Sequence, residues 1–232
     1  MIGYFEYTRV RWIGILLGGL AASCNVWAEM PDCKGQYIQG APTHESLLRD
    51  GWSDVHNSDG IRVYNRKQPD SQVYEVLARG TVGASPRAVF DVVTDYEHYR
   101  EFMPYTVESR IDGNSKSDRW IWVYERLDFP VVNDRHFVVK VDTQTCRDLN
   151  NFYGVVWDQD NGHPLPQNTI GILPKVNSGY WALWPINEGH ETDAIYYLHS
   201  DPGGLLPSFL VNMANRTALP LVIEKVRERS KR

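Results

Sequence analysis

The chain has 232 residues, with 29 acidic side chains against 24 basic ones and a net charge of −5. That balance argues against a nucleic-acid partner, which selects a basic surface, and against avid docking on an anionic bilayer. With 42% hydrophobic residues and no repeat, linker or low-complexity block, the composition fits one large domain with a substantial core.

The first ~28 residues read as a targeting segment and not as part of the fold. Arg9 and Arg11 form a short basic region, and Trp12–Ala22 is an apolar run too short to span a bilayer. Val26-Trp27-Ala28 offers a cleavage site after Ala28, so residues 1–28 are assigned to a signal peptide and the product is expected to be exported, periplasmic or secreted. A second processing route stays open, because Ala21-Ala22-Ser23-Cys24 is a weak lipobox whose use would leave a lipidated, anchored Cys24. Residues 29–50 are an arm ending in a short helix, and residues 51–232 are the domain. Cys33 and Cys146 remain after cleavage, either as a disulfide tying the arm to a strand end or as two free thiols.

Within the arm, Thr43 is an N-cap for a helix over His44–Asp50, with Leu47, Leu48 and Trp52 directed inward. Ser58-Asp59-Gly60 marks a turn, and Ile61–Tyr64 and Val73–Val82 pair as antiparallel strands. Ser85 and Pro86 open a helix with the stripe Val89, Phe90, Val92 and Val93. A second short helix covers Tyr96–Phe102 and stops at Met103-Pro104. Strands follow around Val107–Ile111, Trp120–Phe129, His136–Asp142, Asn151–Trp157, Tyr180–Ile186 and Ala194–Ser200. Gly203-Gly204 then turns the chain into a long helix ending near Arg229. Pro220 within it removes a backbone donor and predicts a kink. The order gives an α+β arrangement in which a sheet receives one long apolar helix.

Alternation in the strand Trp120–Phe129 places Ile121, Val123, Glu125 and Leu127 on one face, taken as the inner one. Glu125 is then a carboxyl among aliphatics, costly unless paired, and Arg135 is its candidate partner; the pair reads either as a polar anchor for a ligand or as a structural ion pair. In the next strand Phe137, Val139 and Val141 point inward, and His136, Lys140 and Asp142 are expected on the surface. Aromatic strands near the end supply Trp181, Leu183 and Tyr197, and the last helix supplies Leu206, Leu210, Met213 and Thr217, each as core or as the wall of a cavity. Signatures of catalysis and metal binding are missing: there is no Gly-x-Ser-x-Gly elbow, no His-x-x-x-His or Cys-x-x-Cys, and no phosphate loop.

Three stretches in this order resemble the START lipid-transfer domain: Val82–Tyr105, Asn133–Val138, and Gly203-Gly204-Leu205-Leu206-Pro207 with Asn212. The resemblance runs from about Trp52 to Arg229. It implies a helix-grip fold, a curved antiparallel sheet wrapped around a long C-terminal helix, with an internal hydrophobic cavity, one lipid or other apolar ligand inside, and no cofactor. The loop Ile172–Gly179 and the C-terminal helix would form the lid. On this reading Phe102 joins the inward residues above as tunnel lining, the protein is a monomer, and its contact with membranes is transient. The second basic residue that some members carry after the position of Arg135 is replaced here by Val141. Val89–Pro104 also resembles coenzyme-Q-binding, cyclase-like relatives, so a quinone-binding protein, a cyclase- or hydrolase-type enzyme, and a module for a protein partner are alternatives on the same fold.

Overall fold

The backbone is dominated by one antiparallel sheet. The computed structural model describes residues 41–67, 74–114, 119–167, 169–201, 203 and 214–231, and of residues 143–149, 214 and 215 the backbone alone. The signal-peptide assignment, Cys24, Cys33, Leu206, Leu210 and Met213 lie outside the described residues, as does the side chain of Cys146.

The strands are β1 (Ser53–Ser58), β2 (Ile61–Lys67), β3 (Tyr74–Val82), β4 (Thr106–Asn114), β5 (Trp120–Leu127), β6 (Arg135–Leu149), β7 (Phe152–Gln159), β8 (Val176–Ile186) and β9 (Glu191–Asp201). They lie in the order β1-β2-β3-β9-β8-β7-β6-β5-β4, which leaves β1 and β4 as edges of a curved, unclosed sheet. The helices are α1 (His44–Arg49), α2 (Pro86–Val93), α3 (Tyr99–Phe102) and α4 (Leu219–Arg229). This is the α+β helix-grip arrangement. Hydrophobic alternation does not announce β1, whose Ser-Asp-Val-His-Asn-Ser sequence has no buried residue; pairing with β2 across the Asp59-Gly60 turn defines it.

Capping sets the helices. The Ala88 amide donates to Ser85 Oγ (3.4 Å), Pro86 fits the first turn, and Val89, Phe90 and Val93 bury one face. The Ser46 amide donates to Thr43 Oγ1 (3.1 Å), and Leu47 and Trp52 are buried as expected, whereas Leu48 is exposed because it lies on the opposite side of a helix of only six residues. The Tyr96–Phe102 stretch divides into a 3₁₀ turn (Tyr96–His98) and α3. Pro220 sits in the first turn of α4, directly after a wider π turn over Ala214–Ala218. Proline cannot donate to the preceding turn and crowds its carbonyl, so the widened turn is where the helix absorbs it.

Each face of the sheet carries its own core. On the inner face, Val63, Ala78, Val123, Phe137, Val139, Val155, Trp181 and Leu183 pack with α2 and with Leu219, Ile223 and Val226 of α4. Helix α4 approaches β3 closely: a Cβ on Gly80 would come within 2.9 Å of the Ile223 side chain. On the outer face, Tyr64, Leu77, Tyr197, Tyr180 and Val156 form a row across five paired strands, covered by Leu47 and Trp52. Gly179 admits the Trp157 ring onto the inner face; a Cβ there would collide with that ring and with the Tyr197 carbonyl oxygen.

Candidate functional site

Residues directly opposite in an antiparallel pair share a face, so register decides what points inward. Ile121 faces Val141, Val123 faces Val139, Glu125 faces Phe137, and Leu127 faces Arg135. Across β8 and β9, Trp181 faces Tyr196 and Leu183 faces Ala194. The inner wall thus brings together Phe102, Ile121, Val123, Glu125, Phe137, Val139, Trp181 and Leu183. Tyr197 does not belong to this wall. It lies in the outer core, stacked on Tyr180 at 4.8 Å and donating to Glu75 Oε1 (2.7 Å); its neighbour Tyr196 takes the inward place, against Trp181 (4.8 Å) and Trp157 (5.7 Å). Thr217 is exposed, in the π turn.

The polar heart of the wall is Glu125. Among the described residues its carboxyl has no hydrogen bond and no ion pair, and burial alone pushes its pKa up from the ordinary carboxylate range to about 7. Three tyrosines gather near it. Burial, with the Glu125 charge adding to it, holds the Tyr96 and Tyr196 phenols far above their ordinary pKa, and Tyr99 is shifted the same way. Tyr99 spends its hydroxyl on the Val93 carbonyl. Tyr96 and Tyr99 pack ring to ring at 5.2 Å, and Tyr99 meets Phe102 at 5.6 Å.

Arg135 does not pair with Glu125. It is buried at the start of β6 and donates from Nη1 to the Asn133 carbonyl and from Nη2 to the Gly203 carbonyl (3.2 Å). Burial lowers its pKa. The expected acid–base pair is therefore replaced by a backbone clasp that ties residue 203 to the sheet. The surface assignment of His136 and Asp142 is also corrected. Both point outward yet are buried, His136 beneath the loop whose Ile172 carbonyl accepts from its amide (3.2 Å), and Asp142 against Arg119 (2.9 Å).

Not all of the inner wall is closely packed. Val123, Phe137, Val139, Trp181 and Leu183 are buried, whereas Phe102, Ile121, Glu125, Leu127, Trp157 and Tyr196 are only half-buried although they face inward. Sequence reasoning missed Tyr96, Tyr196 and Ser109. Only Tyr196 had a readable signal, the pairing of its strand with that of Trp181. Among the described residues no group of three or more His, Cys, Asp or Glu could hold a metal, and no helix is long and apolar enough to cross a membrane.

A family model described as polyketide cyclase / dehydrase and lipid transport matches residues 82–227, the span from β3 to α4. The chain belongs to this family. The chain is 24% identical over 176 residues to the phosphatidylcholine transfer protein of Mus musculus, covering 73% of this chain and 78% of that protein. Its fold is similar to that of a STAR-related lipid transfer protein from Xanthomonas axonopodis (TM-score 0.67, 24% identity, covering 79% of this chain and 100% of that one). It is also similar to human StAR-related lipid transfer protein 5 (TM-score 0.69, 17% identity, covering 81% and 92%). The START resemblance read from the sequence and the helix-grip fold agree.

Proposed function

We propose that this protein is a lipid carrier that holds one apolar ligand against the inner face of the sheet, under the C-terminal helix. The observation that carries this reading is the state of the inner wall: aromatic and aliphatic side chains that face inward yet stay half-buried, around a carboxyl without a partner among the described residues. Apolar ligands bind where a concave apolar wall carries a few polar groups that fix orientation, and burial of the ligand contributes at about 25 cal/mol per Å². Lipid transport in the family's description, and the phosphatidylcholine transfer protein among its relatives, support the reading. In this proposal the chain is exported after removal of residues 1–28, acts as a monomer, and meets membranes transiently when the cover opens.

The test is native mass spectrometry of the protein after organic extraction and again after incubation with phosphatidylcholine vesicles that also carry a long-chain alcohol and a diacylglycerol. One added lipid mass per chain is expected, and a protein that stays empty under both conditions overturns the proposal. A second reading has one observation in its favour: a carboxyl with a pKa of about 7 is poised for general acid–base work, as a cyclase would need. Under it Glu125→Gln would abolish turnover of a polyketide substrate and spare its binding.

A further inference from the structure

The inner wall holds four polar groups without a hydrogen bond or ion pair among the described residues, and they lie together. Ser109 of β4 stands directly opposite Glu125 in the strand register. Its residue is only 7% exposed, and its Oγ is enclosed without a hydrogen bond. Glu125, Tyr96 and Tyr196 complete the group, none with a hydrogen bond or ion pair among the described residues. Buried polar groups are nearly always satisfied. One carboxyl and three hydroxyls in one place, the Ser109 Oγ fully enclosed, form a site that a ligand's polar end would complete.

The charges around this site decide what that end is. From β4 comes Ser109, from β6 the Phe137 ring, from the 3₁₀ turn and α3 Tyr96 and Tyr99, and from β9 Tyr196. Helix α4 contributes apolar Leu219, Ile223 and Val226. Its arginines are bound to other groups: Arg227 to the carbonyls of Asp59, Gly60 and Thr81, and Arg229 to Glu101 and Asp95, with its guanidinium over the Phe102 ring at 5.2 Å. Arg135, further along β6, is clasped to carbonyls. Among the described residues no cation pairs with Glu125, so a phosphate or carboxylate beside it would face an ionisable carboxyl instead.

We propose that Glu125, Ser109, Tyr96 and Tyr196 form the head-group end of the ligand site and select an uncharged head bearing a hydroxyl or carbonyl oxygen, bound with Glu125 as the neutral acid. The protonated carboxyl and the phenols donate to the ligand oxygen, and a ligand hydroxyl donates back to a carboxyl oxygen. This rests on the lipid-carrier reading and adds a head-group class and a proton to it. The displacement of the Glu125 pKa to about 7 supports the proton coupling, because the neutral acid is then accessible near neutrality.

The test is uptake from phosphatidylcholine vesicles carrying trace hexadecanol, hexadecyl sulfate or hexadecyltrimethylammonium, three probes with one chain length and head charges that do not titrate. It is run from about pH 5.5 to about pH 8.5. The expected result is selective uptake of hexadecanol, with affinity falling by up to about tenfold per pH unit above pH 7 as one proton is lost. Glu125→Gln should take up hexadecanol with no pH dependence, and Tyr196→Phe should weaken uptake several-fold while keeping the pH profile. Preference for the ammonium probe, rising with pH and lost in Glu125→Gln, overturns the proposal in favour of a cationic ligand. Equal uptake of all three probes, flat in pH, overturns it while the carrier reading stands. No uptake of any probe, with no phospholipid bound either, overturns both.

Discussion

Two glutamates on opposite faces of the same sheet show how burial is made structural in one place and left open for function in another. Glu75, on the outer face, is fully buried and held by Arg66 Nε at 2.8 Å and by the Tyr197 hydroxyl at 2.7 Å, and Arg66 in turn lies over the Trp52 ring at 4.6 Å. Every donor it needs comes from the protein. Glu125, on the inner face, has aromatic and aliphatic neighbours and, among the described residues, no paired cation, and its carboxyl is driven towards the neutral form. A buried carboxylate without a countercharge is expensive, so the inner face keeps its cost low by protonation and the outer face by pairing. The same division recurs at Asp193 and Asp142, both buried towards the outer face and both bound by arginines, Arg79 and Arg119.

The largest effect should come from breaking the outer pair. Arg66→Ala leaves Glu75 buried without its cation, and chemical denaturation should report a loss of about 3–5 kcal/mol, the range for removing one partner of a buried pair. A loss below about 1 kcal/mol would mean that water reaches Glu75 and that the two faces differ less than their geometry indicates.

Next in size is the inner carboxyl, with the opposite sign. The folded-state pKa of Glu125 is raised above its unfolded value of 4.5 to about 7. The native form therefore binds more protons than the unfolded chain between those values, stability falls as pH rises from about 4.5 to about 7, and the penalty persists above. Glu125→Gln removes it. At pH 8 the variant should be more stable than the parent by on the order of 2–3 kcal/mol, with the advantage vanishing near pH 4. A pH-independent difference would place the carboxyl in solvent.

A sharper probe uses two consecutive residues. Tyr197→Phe removes the hydroxyl that donates to Glu75 and should cost about 1–2 kcal/mol with lipid uptake unchanged. Tyr196→Phe removes a hydroxyl without a partner among the described residues and should leave thermal stability within about 0.5 kcal/mol while uptake weakens. If the two variants behaved alike, the assignment of the faces would be wrong.

This pair also marks what a sequence can and cannot say. Alternation along β5 and β6 located the inner set around Val123 and Glu125 because the aliphatic residues Ile121, Val123 and Leu127 share one parity of β5, and Val139 and Val141 share one parity of β6 with Phe137. In β9 both parities are apolar, with Ala194 and Tyr196 on one side and Ile195 and Tyr197 on the other, because each face of that central strand supports a core. Parity alone could not choose between the tyrosines; registration of Trp181 with Tyr196 does. The Glu125–Arg135 pairing failed for a different reason. Both residues do point inward, but Arg135 turns its guanidinium to the Asn133 and Gly203 carbonyls, and nothing in residue type or spacing announces a backbone acceptor 68 positions away. Ser109 and Tyr96 became legible only through pairing and packing, since a serine in an edge strand and a tyrosine in a 3₁₀ turn have no pattern of their own.

The smallest expected effect tests whether the faces are independent. Helix α1 covers the outer core with Leu47 and Trp52, and Thr43 caps its N-terminus through the Ser46 amide. Thr43→Ala should cost about 1 kcal/mol and reduce hydrogen-exchange protection at the Leu47 amide, which donates to the Thr43 carbonyl. Because Trp52 meets Tyr197 edge-on at 6.2 Å and Tyr197 is bound to Glu75, fraying of α1 loosens the outer polar cluster before it reaches the inner wall. Lipid uptake and its pH profile should stay as they are. Loss of uptake in step with the loss of stability would show instead that the outer core holds the curvature of the sheet on which the inner site depends, and the two glutamates would then report on one cooperative structure.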